Sequence, residues 1–170
     1  PAGLETSRLT PGKIIEFNST ILGKLVESHG GEFHRQAKLP DDVELISATI
    51  SAAVEGDFDL VMVIGGSSAG TRDFTKTAIE AVGEVFVHGV TVMPGKPTVL
   101  GAVSQRPVVG VPGYPVSAIV CFEQFVAPIL AEMLGVPEER RETTRAIPTK
   151  KIASKLGMEE FVRVRMGRVG

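Results

Sequence analysis

The run Phe58-Asp59-Leu60-Val61-Met62-Val63-Ile64 enters Gly65-Gly66-Ser67-Ser68-Ala69-Gly70 without an intervening residue. A strand that is apolar on successive residues has to be covered on both faces, which is the situation of a parallel sheet between helices. Glycines at its carboxyl end let the chain turn sharply and lead into a helix that starts near Asp73 and ends at Gly83. Strand, glycine turn and helix in this order restrict the chain to the α/β class, in which ligands bind outside the carboxyl ends of the strands.

The flanking segments repeat the alternation. Leu9 to Ile15 reads as a turn and a short strand, and Asn18 stands where a helix cap belongs. Ile21, Leu22, Leu25 and Val26 recur at helical spacing until Gly30-Gly31 stops the helix, and Glu32 to Ala37 forms a weaker strand. Pro40-Asp41-Asp42 opens a helix whose apolar face passes through Val43, Ile46 and Ile50. Val85 to Val92 is a strand, interrupted by Pro94-Gly95-Lys96-Pro97. Pro107 to Val111 is another, ended by Pro112-Gly113-Tyr114-Pro115. Ser117 to Leu134 is an apolar helix broken internally by Pro128. This order predicts a three-layer α/β/α sandwich with a mostly parallel sheet over residues 9–135.

Beyond Gly135 the character changes. Glu138 to Glu142 is a charged connector, and Ala146 to Ala153 and Phe161 to Val169 read as strands. In the second of these, apolar and basic residues alternate, as in a half-exposed antiparallel strand. Residues 136–170 are therefore expected to be a connector and the opening of a β-rich domain.

Composition narrows the function classes. A net charge of −2 gives no field over the whole chain for attracting a nucleic acid, though it leaves room for a local cationic pocket. A single cysteine, Cys121 in an apolar stretch, excludes an internal disulfide framework and a Cys-only metal site within one chain. No uninterrupted apolar run approaches the roughly 20 residues of a membrane span. The opening Pro1-Ala2-Gly3 is neither an initiator Met nor a signal peptide, so the chain reads as a piece of a longer, cytoplasmic protein.

Three loops carry chemistry. Gly65 to Asp73 combines glycines, the free amides of a helix start and the hydroxyls of Ser67, Ser68, Thr71 and Thr75, a seat suited to phosphate. It lacks the Gly-Lys-Ser/Thr of a P-loop and the Gly-x-Gly-x-x-Gly of dinucleotide binders. In Pro94-Gly95-Lys96-Pro97 two prolines stiffen the backbone around one lysine, an arrangement that presents an ammonium to an anion or is a plain exposed turn. In Pro112-Gly113-Tyr114-Pro115-Val116-Ser117, Pro115 suits a first helical turn and Ser117 lies near free helix amides. Tyr114, the only tyrosine, either covers a flat heterocycle or packs on its own domain. Asp41-Asp42 and Asp73 each stand at a helix start, where a carboxylate also serves as a cap or a dipole partner.

Together these loops resemble the MoeA/gephyrin-E family, the molybdopterin molybdenumtransferases. Its patterns Gly-Gly-x-Ser-x-Gly-x-x-Asp, Pro-Gly-Lys-Pro and Leu-Pro-Gly-x-Pro-Val-Ser-Ala are met here by Gly65–Asp73, Pro94–Pro97 and Val111–Ala118. Pro11 to Ser19 is similar to the opening of the family's α/β domain, and Pro40-Asp41-Asp42 to its acidic turn. The similarity covers about residues 9 to 135, and Leu156 to Val164 resembles the start of the family's following β-domain. Where the family often has lysine, Asn, Val and Val, this chain has Met93, Tyr114, Ser67 and Ala69.

The resemblance implies a magnesium-assisted insertion of molybdate into adenylylated molybdopterin, with cleavage of the phosphoanhydride and release of AMP, in a homo-oligomer such as a dimer. By position it implies Asp41 and Asp73 as acidic residues at the metal and phosphate centre and Lys96 as a neutralising cation. Gly65, Gly66, Ser67, Ser68, Gly70 and Thr71 would cradle phosphate or pterin. Gly95, Pro97, Pro112, Gly113, Tyr114, Pro115 and Ser117 would line the pocket. Two other readings share the fold: the MogA-type adenylyltransferase, toward which Arg72-Asp73 leans, and a non-catalytic molybdopterin-binding or scaffold domain. A generic Rossmann-like nucleotide binder is disfavoured by the missing fingerprint. Neither a nucleic-acid nor a membrane partner is expected.

Overall fold

The computed structural model describes residues 16–65, 73–137 and 142–167. Helix α1 spans Asn18–Ser28 and α2 Val43–Glu55; strand β1 spans Val61–Ile64, followed by α3 over Phe74–Val82. Then come β2 (Glu84–His88), β3 (Val92–Met93), β4 (Val99–Val103) and β5 (Arg106–Val111). One helical rod runs from Pro115 to Leu134 as α4 (Pro115–Cys121), a wider π turn over Phe122–Val126, and α5 (Ala127–Leu134). The two-residue β6 is Glu159–Glu160.

Four strands form one sheet in the order β1-β5-β4-β2. Side chains alternate across it as strand geometry demands. Val109 and Val111 join Leu22, Val26, Phe122, Val126 and Leu130 beneath α1 and α4–α5. Val108, Val99 and Val103 point the other way, to Ile46, Ile50, Val54, Ala78 and Ile79 of α2 and α3. The molecule is thus layered α/β/α, with a core on each side of the sheet. Ser47 Oγ donates to the Ala78 carbonyl and ties α2 to α3 within the second layer.

The sheet is mixed rather than mostly parallel. Only β1 and β5 are parallel; β4 is antiparallel to both β5 and β2. The cause is a hairpin over Val99–Val111 whose first strand the sequence does not announce. Its two-residue turn, Ser104-Gln105, takes positive φ at both residues (47° and 65°), a conformation that usually calls for Asn and Gly. The expected strand from Val85 to Val92 is split into β2 and β3. The expected strand from Glu32 to Ala37 is irregular. Its one large apolar residue, Phe33, seats its ring on Gly23 of α1, where an added Cβ would lie 2.5 Å from the ring. Consequently β1 is an edge of the sheet among the described residues, and the expected strand in Leu9–Ile15 lies outside them.

Pro128 does not break the long helix. A proline removes its own N–H and crowds the carbonyl four residues back, here that of Gln124. The π turn lies over that carbonyl, with Ala127 N donating to Phe122 O, and so widens the helix where the ring needs room. The resulting 20-residue helix is long and apolar enough to cross a membrane by length and composition, contrary to the absence of such a segment expected from the sequence. Its packing accounts for this: Ala118, Cys121, Phe122, Val126 and Leu130 sit in the core on the sheet.

Candidate functional site

The strand register gathers the chemistry-bearing loops. Ile64 at the end of β1 pairs with Val111 at the end of β5. The start of β4 lies beside that end through Val99 and Gly110, and the end of β2 follows through His88 and Val99. Three strand ends and one strand start therefore share one sheet edge. The loops after Ile64, before Val99 and after Val111 all open there.

At this edge Gly65 is held from both sides. Its N–H donates to Val111 O at 2.9 Å, and its carbonyl accepts from Thr75 Oγ1 at 2.8 Å. Its φ of +85° requires a glycine, and the space where a side chain would stand is open. The remaining expected members of this loop, Gly66, Ser67, Ser68, Gly70 and Thr71, lie outside the described residues.

Asp73 closes the loop as the N-cap of α3, with Oδ1 accepting from Lys76 N at 2.9 Å. Its other oxygen, Oδ2, lies 2.8 Å from His88 Nε2. The Asp73 side chain is 13% exposed and the imidazole 46%, so the carboxylate is held in place while retaining access to the edge. Nothing in the sequence around His88 signals this contact; it depends on β2 ending beside the start of α3.

The lysine turn is rigid in its backbone. Gly95 takes φ +134°, and its carbonyl accepts from both Thr98 N (3.0 Å) and Thr98 Oγ1 (2.7 Å). Val90 N donates to Lys96 O. The missing Gly95 side chain faces Val92, Ser117 O and Val120, so Gly95 lets the turn lie close against α4. Lys96 is exposed and its ammonium has no acidic partner among the described residues. Cys121 is fully buried, and desolvation pushes its thiol up to about 11 even though a hydrogen bond with Thr98 acts in the opposite direction. A thiol in that state is a poor nucleophile, as its place in an apolar stretch of the sequence suggests.

The third loop leads directly into α4. Pro112 is buried, Pro115 occupies the first helical turn, and Ala118 N bonds to Tyr114 O. The Tyr114 ring is 81% exposed, so it does not pack on its own domain. Gly113 approaches Gly65 closely, with an added Cβ 3.7 Å from the Gly65 Cα. Its carbonyl accepts from Asn18 Nδ2 at 2.6 Å.

That bond corrects the reading of Asn18 as a helix cap. Phe17 occupies the cap position, and Glu16 receives the Ser19 N–H and hydroxyl in place of a capping side chain. Burial disfavours the Glu16 carboxylate, but the Ser19 hydrogen bonds and the Arg35 charge outweigh it and hold the group below its ordinary value. Asn18 instead braces the third loop, and its buried Oδ1 is left without a hydrogen-bond partner.

Asp42 caps α2 through Leu45 N, while Asp41 is exposed and bonded to no described residue. The far end of α2 leads through residues 56–60 to the start of β1, and no hydrogen bond joins Asp41 to the other loops among the described residues. Among the described residues no three His, Cys, Asp or Glu side chains are grouped to hold a metal ion. Magnesium typically takes only one or two carboxylates and completes its shell with water and phosphate oxygens. An exposed Asp41 and an Asp73 with spare lone pairs suit such an open site, not a closed protein cage.

Fold and edge define an α/β domain with three loops gathered at one end of its sheet, and comparison with known proteins gives the class. A family model described as "Probable molybdopterin binding domain" matches residues 5–132. A Methanocaldococcus jannaschii protein named for molybdopterin biosynthesis is 36% identical over 156 residues, covering 91% of this chain and 37% of that one. Molybdopterin molybdenumtransferase 2 of Mycobacterium tuberculosis is 35% identical over 162 residues, covering 91% and 40%. The crystal structure of a molybdopterin biosynthesis MoeA protein from Pyrococcus horikoshii superimposes with a TM-score of 0.67 at 39% identity, covering 79% of this chain and 32% of that one. The chain belongs to the molybdopterin-binding domain family, and it spans about two fifths of the length of the curated relatives it matches.

Proposed function

We propose that this chain is the substrate-binding α/β domain of a molybdopterin molybdenumtransferase, which takes adenylylated molybdopterin and molybdate as substrates and releases AMP. The observation that carries this reading is the strand register, which brings Gly65, Asp73, the Lys96 turn and the Pro112–Ser117 loop to one edge. Cleaving a phosphoanhydride develops negative charge on the leaving phosphate, and fixed cations and amide donors stabilise it most when they need no rearrangement. In this reading Lys96 neutralises that charge, while Gly65, Gly66, Ser67, Ser68, Gly70 and Thr71 receive phosphate or pterin. Gly95, Pro97, Pro112, Gly113, Pro115 and Ser117 form the wall, and the free ring of Tyr114 covers the pterin.

Asp41 and Asp73 would hold a magnesium ion against the phosphate oxygens, and the ion's part is to neutralise phosphate charge. His88 keeps the Asp73 carboxylate oriented. The domain carrying this chemistry is taken as residues 9–135, with 136–170 as a connector and the opening of a β-domain. Assembly as a homo-oligomer and a cytoplasmic setting belong to the same proposal.

The test is anaerobic calorimetry of the chain with adenylylated molybdopterin, molybdate and magnesium, run beside Asp73→Asn. Asn retains a capping oxygen, so the fold is expected to persist while affinity falls about tenfold with the loss of the charged ligand. Binding equal in the two proteins would move the site away from Asp73. Transfer of AMP from ATP to molybdopterin with release of pyrophosphate, and no turnover of the preformed adenylate, would make the protein an adenylyltransferase instead.

A further inference from the structure

Residues 142–167 are exposed except for Met158, Glu160 and Phe161. These three surround the one place where, among the described residues, the segment bonds to the α/β body. Strand β6 runs parallel to β3, with Val92 opposite Glu159 and Met93 opposite Glu160. Glu159 N donates to Thr91 O and Phe161 N to Met93 O, both at 2.8 Å. Lys155 N bonds to Glu160 Oε1 and folds the approach back on the pair. Strand β3 has no other strand partner among the described residues. The residue after Met93 is Pro94, the first of the lysine turn.

We propose that Met158–Phe161 is a positioning element for Lys96. By pairing with β3 it fixes the entry to Pro94-Gly95-Lys96-Pro97, while Val90 and Thr98 fix the exit through their bonds to Lys96 O and Gly95 O. The backbone of Lys96 is thereby held at a set height over the site edge by a segment remote in sequence. Displacement of the chain beyond Phe161 pulls on β3 and shifts the lysine. This inference rests on the anion-binding role proposed for Lys96.

The test uses the full chain. Phe161→Pro deletes the N–H that meets Met93 O, and Phe161→Ala keeps that N–H while removing the ring. Amide hydrogen exchange at Val90 and Thr98, the donors of the lysine turn, should quicken about tenfold in Phe161→Pro and stay near wild type in Phe161→Ala. Val109 in β5 reports in the same spectra that the body remains folded. Calorimetric titration with inorganic pyrophosphate should show affinity lowered about three- to tenfold by Phe161→Pro and by Lys96→Ala, on the scale of one displaced or lost charge contact. Unchanged exchange in Phe161→Pro overturns the coupling. Faster exchange with unaltered pyrophosphate affinity, alongside a weakened Lys96→Ala, also overturns it and leaves the role of Lys96 standing. Lys96→Ala binding as tightly as wild type overturns that role instead, and the exchange result alone then decides the coupling.

Discussion

The α/β body and the segment 142–167 are written in similar alphabets and end in opposite states. In the body, Val108 to Val111 are buried because helices cover both faces of β5. In the segment, the alternation Val162-Arg163-Val164-Arg165-Met166 suggests a half-buried strand just as clearly, yet all five residues are exposed. The expected strands over Ala146–Ala153 and Phe161–Val169 do not form among the described residues; only Glu159–Glu160 pairs. Ile147 stands 93% exposed. An alternating pattern is a demand for a partner surface, and becomes a strand only where the partner is present.

The sharpest way to break this contrast is at the centre of the body. Phe122→Ala should cost about 3–5 kcal/mol in denaturant unfolding, because it empties a site enclosed by α1, β5 and the π turn. Next in size is a pH effect. The Cys121 thiol is raised in the folded chain, so folding favours the protonated form. Stability should therefore fall as pH rises from 9.0 toward about 11, by on the order of 2 kcal/mol. Cys121→Ala should remove that slope; a variant that keeps it would assign the loss to other groups. Asp42→Ala, which strips the cap of α2, should cost about 1 kcal/mol, read as a lower melting temperature. Leu156→Ala should change stability by less than about 0.5 kcal/mol, since that side chain is fully exposed. A loss comparable to that of Phe122→Ala would show that the segment is packed in solution and erase the distinction.

Elements with strong local punctuation were legible in the sequence. The caps at Asp42 and Asp73, the stop at Gly83 and the proline start of α4 follow from side chains within three residues of the feature they control. The layer order and the covered strand β1 follow from burial patterning. The hairpin was not legible, because Ser104-Gln105 adopts a turn its composition does not favour. In the candidate site the three loops could be read as chemistry, but their meeting at one edge depends on strand order, which no local pattern encodes. The same holds for His88 and Asn18, whose partners Asp73 and Gly113 lie far along the chain. Gly66 to Arg72 carry the clearest motif and fall outside the described residues.

The hairpin has a mechanical consequence. The Pro94–Pro97 turn feeds β4 and the Pro112–Ser117 loop leaves β5, and the ladder between them runs without a break from Val99–Gly110 to Val103–Arg106. The two loops are therefore mounted on the two prongs of one stiff fork, closed at its far end by the Ser104-Gln105 turn. Shearing one prong past the other would break the whole ladder at once. In the proposed site a ligand held between them would not have to draw them together, and the conformational entropy lost on binding would be confined to the remaining loops.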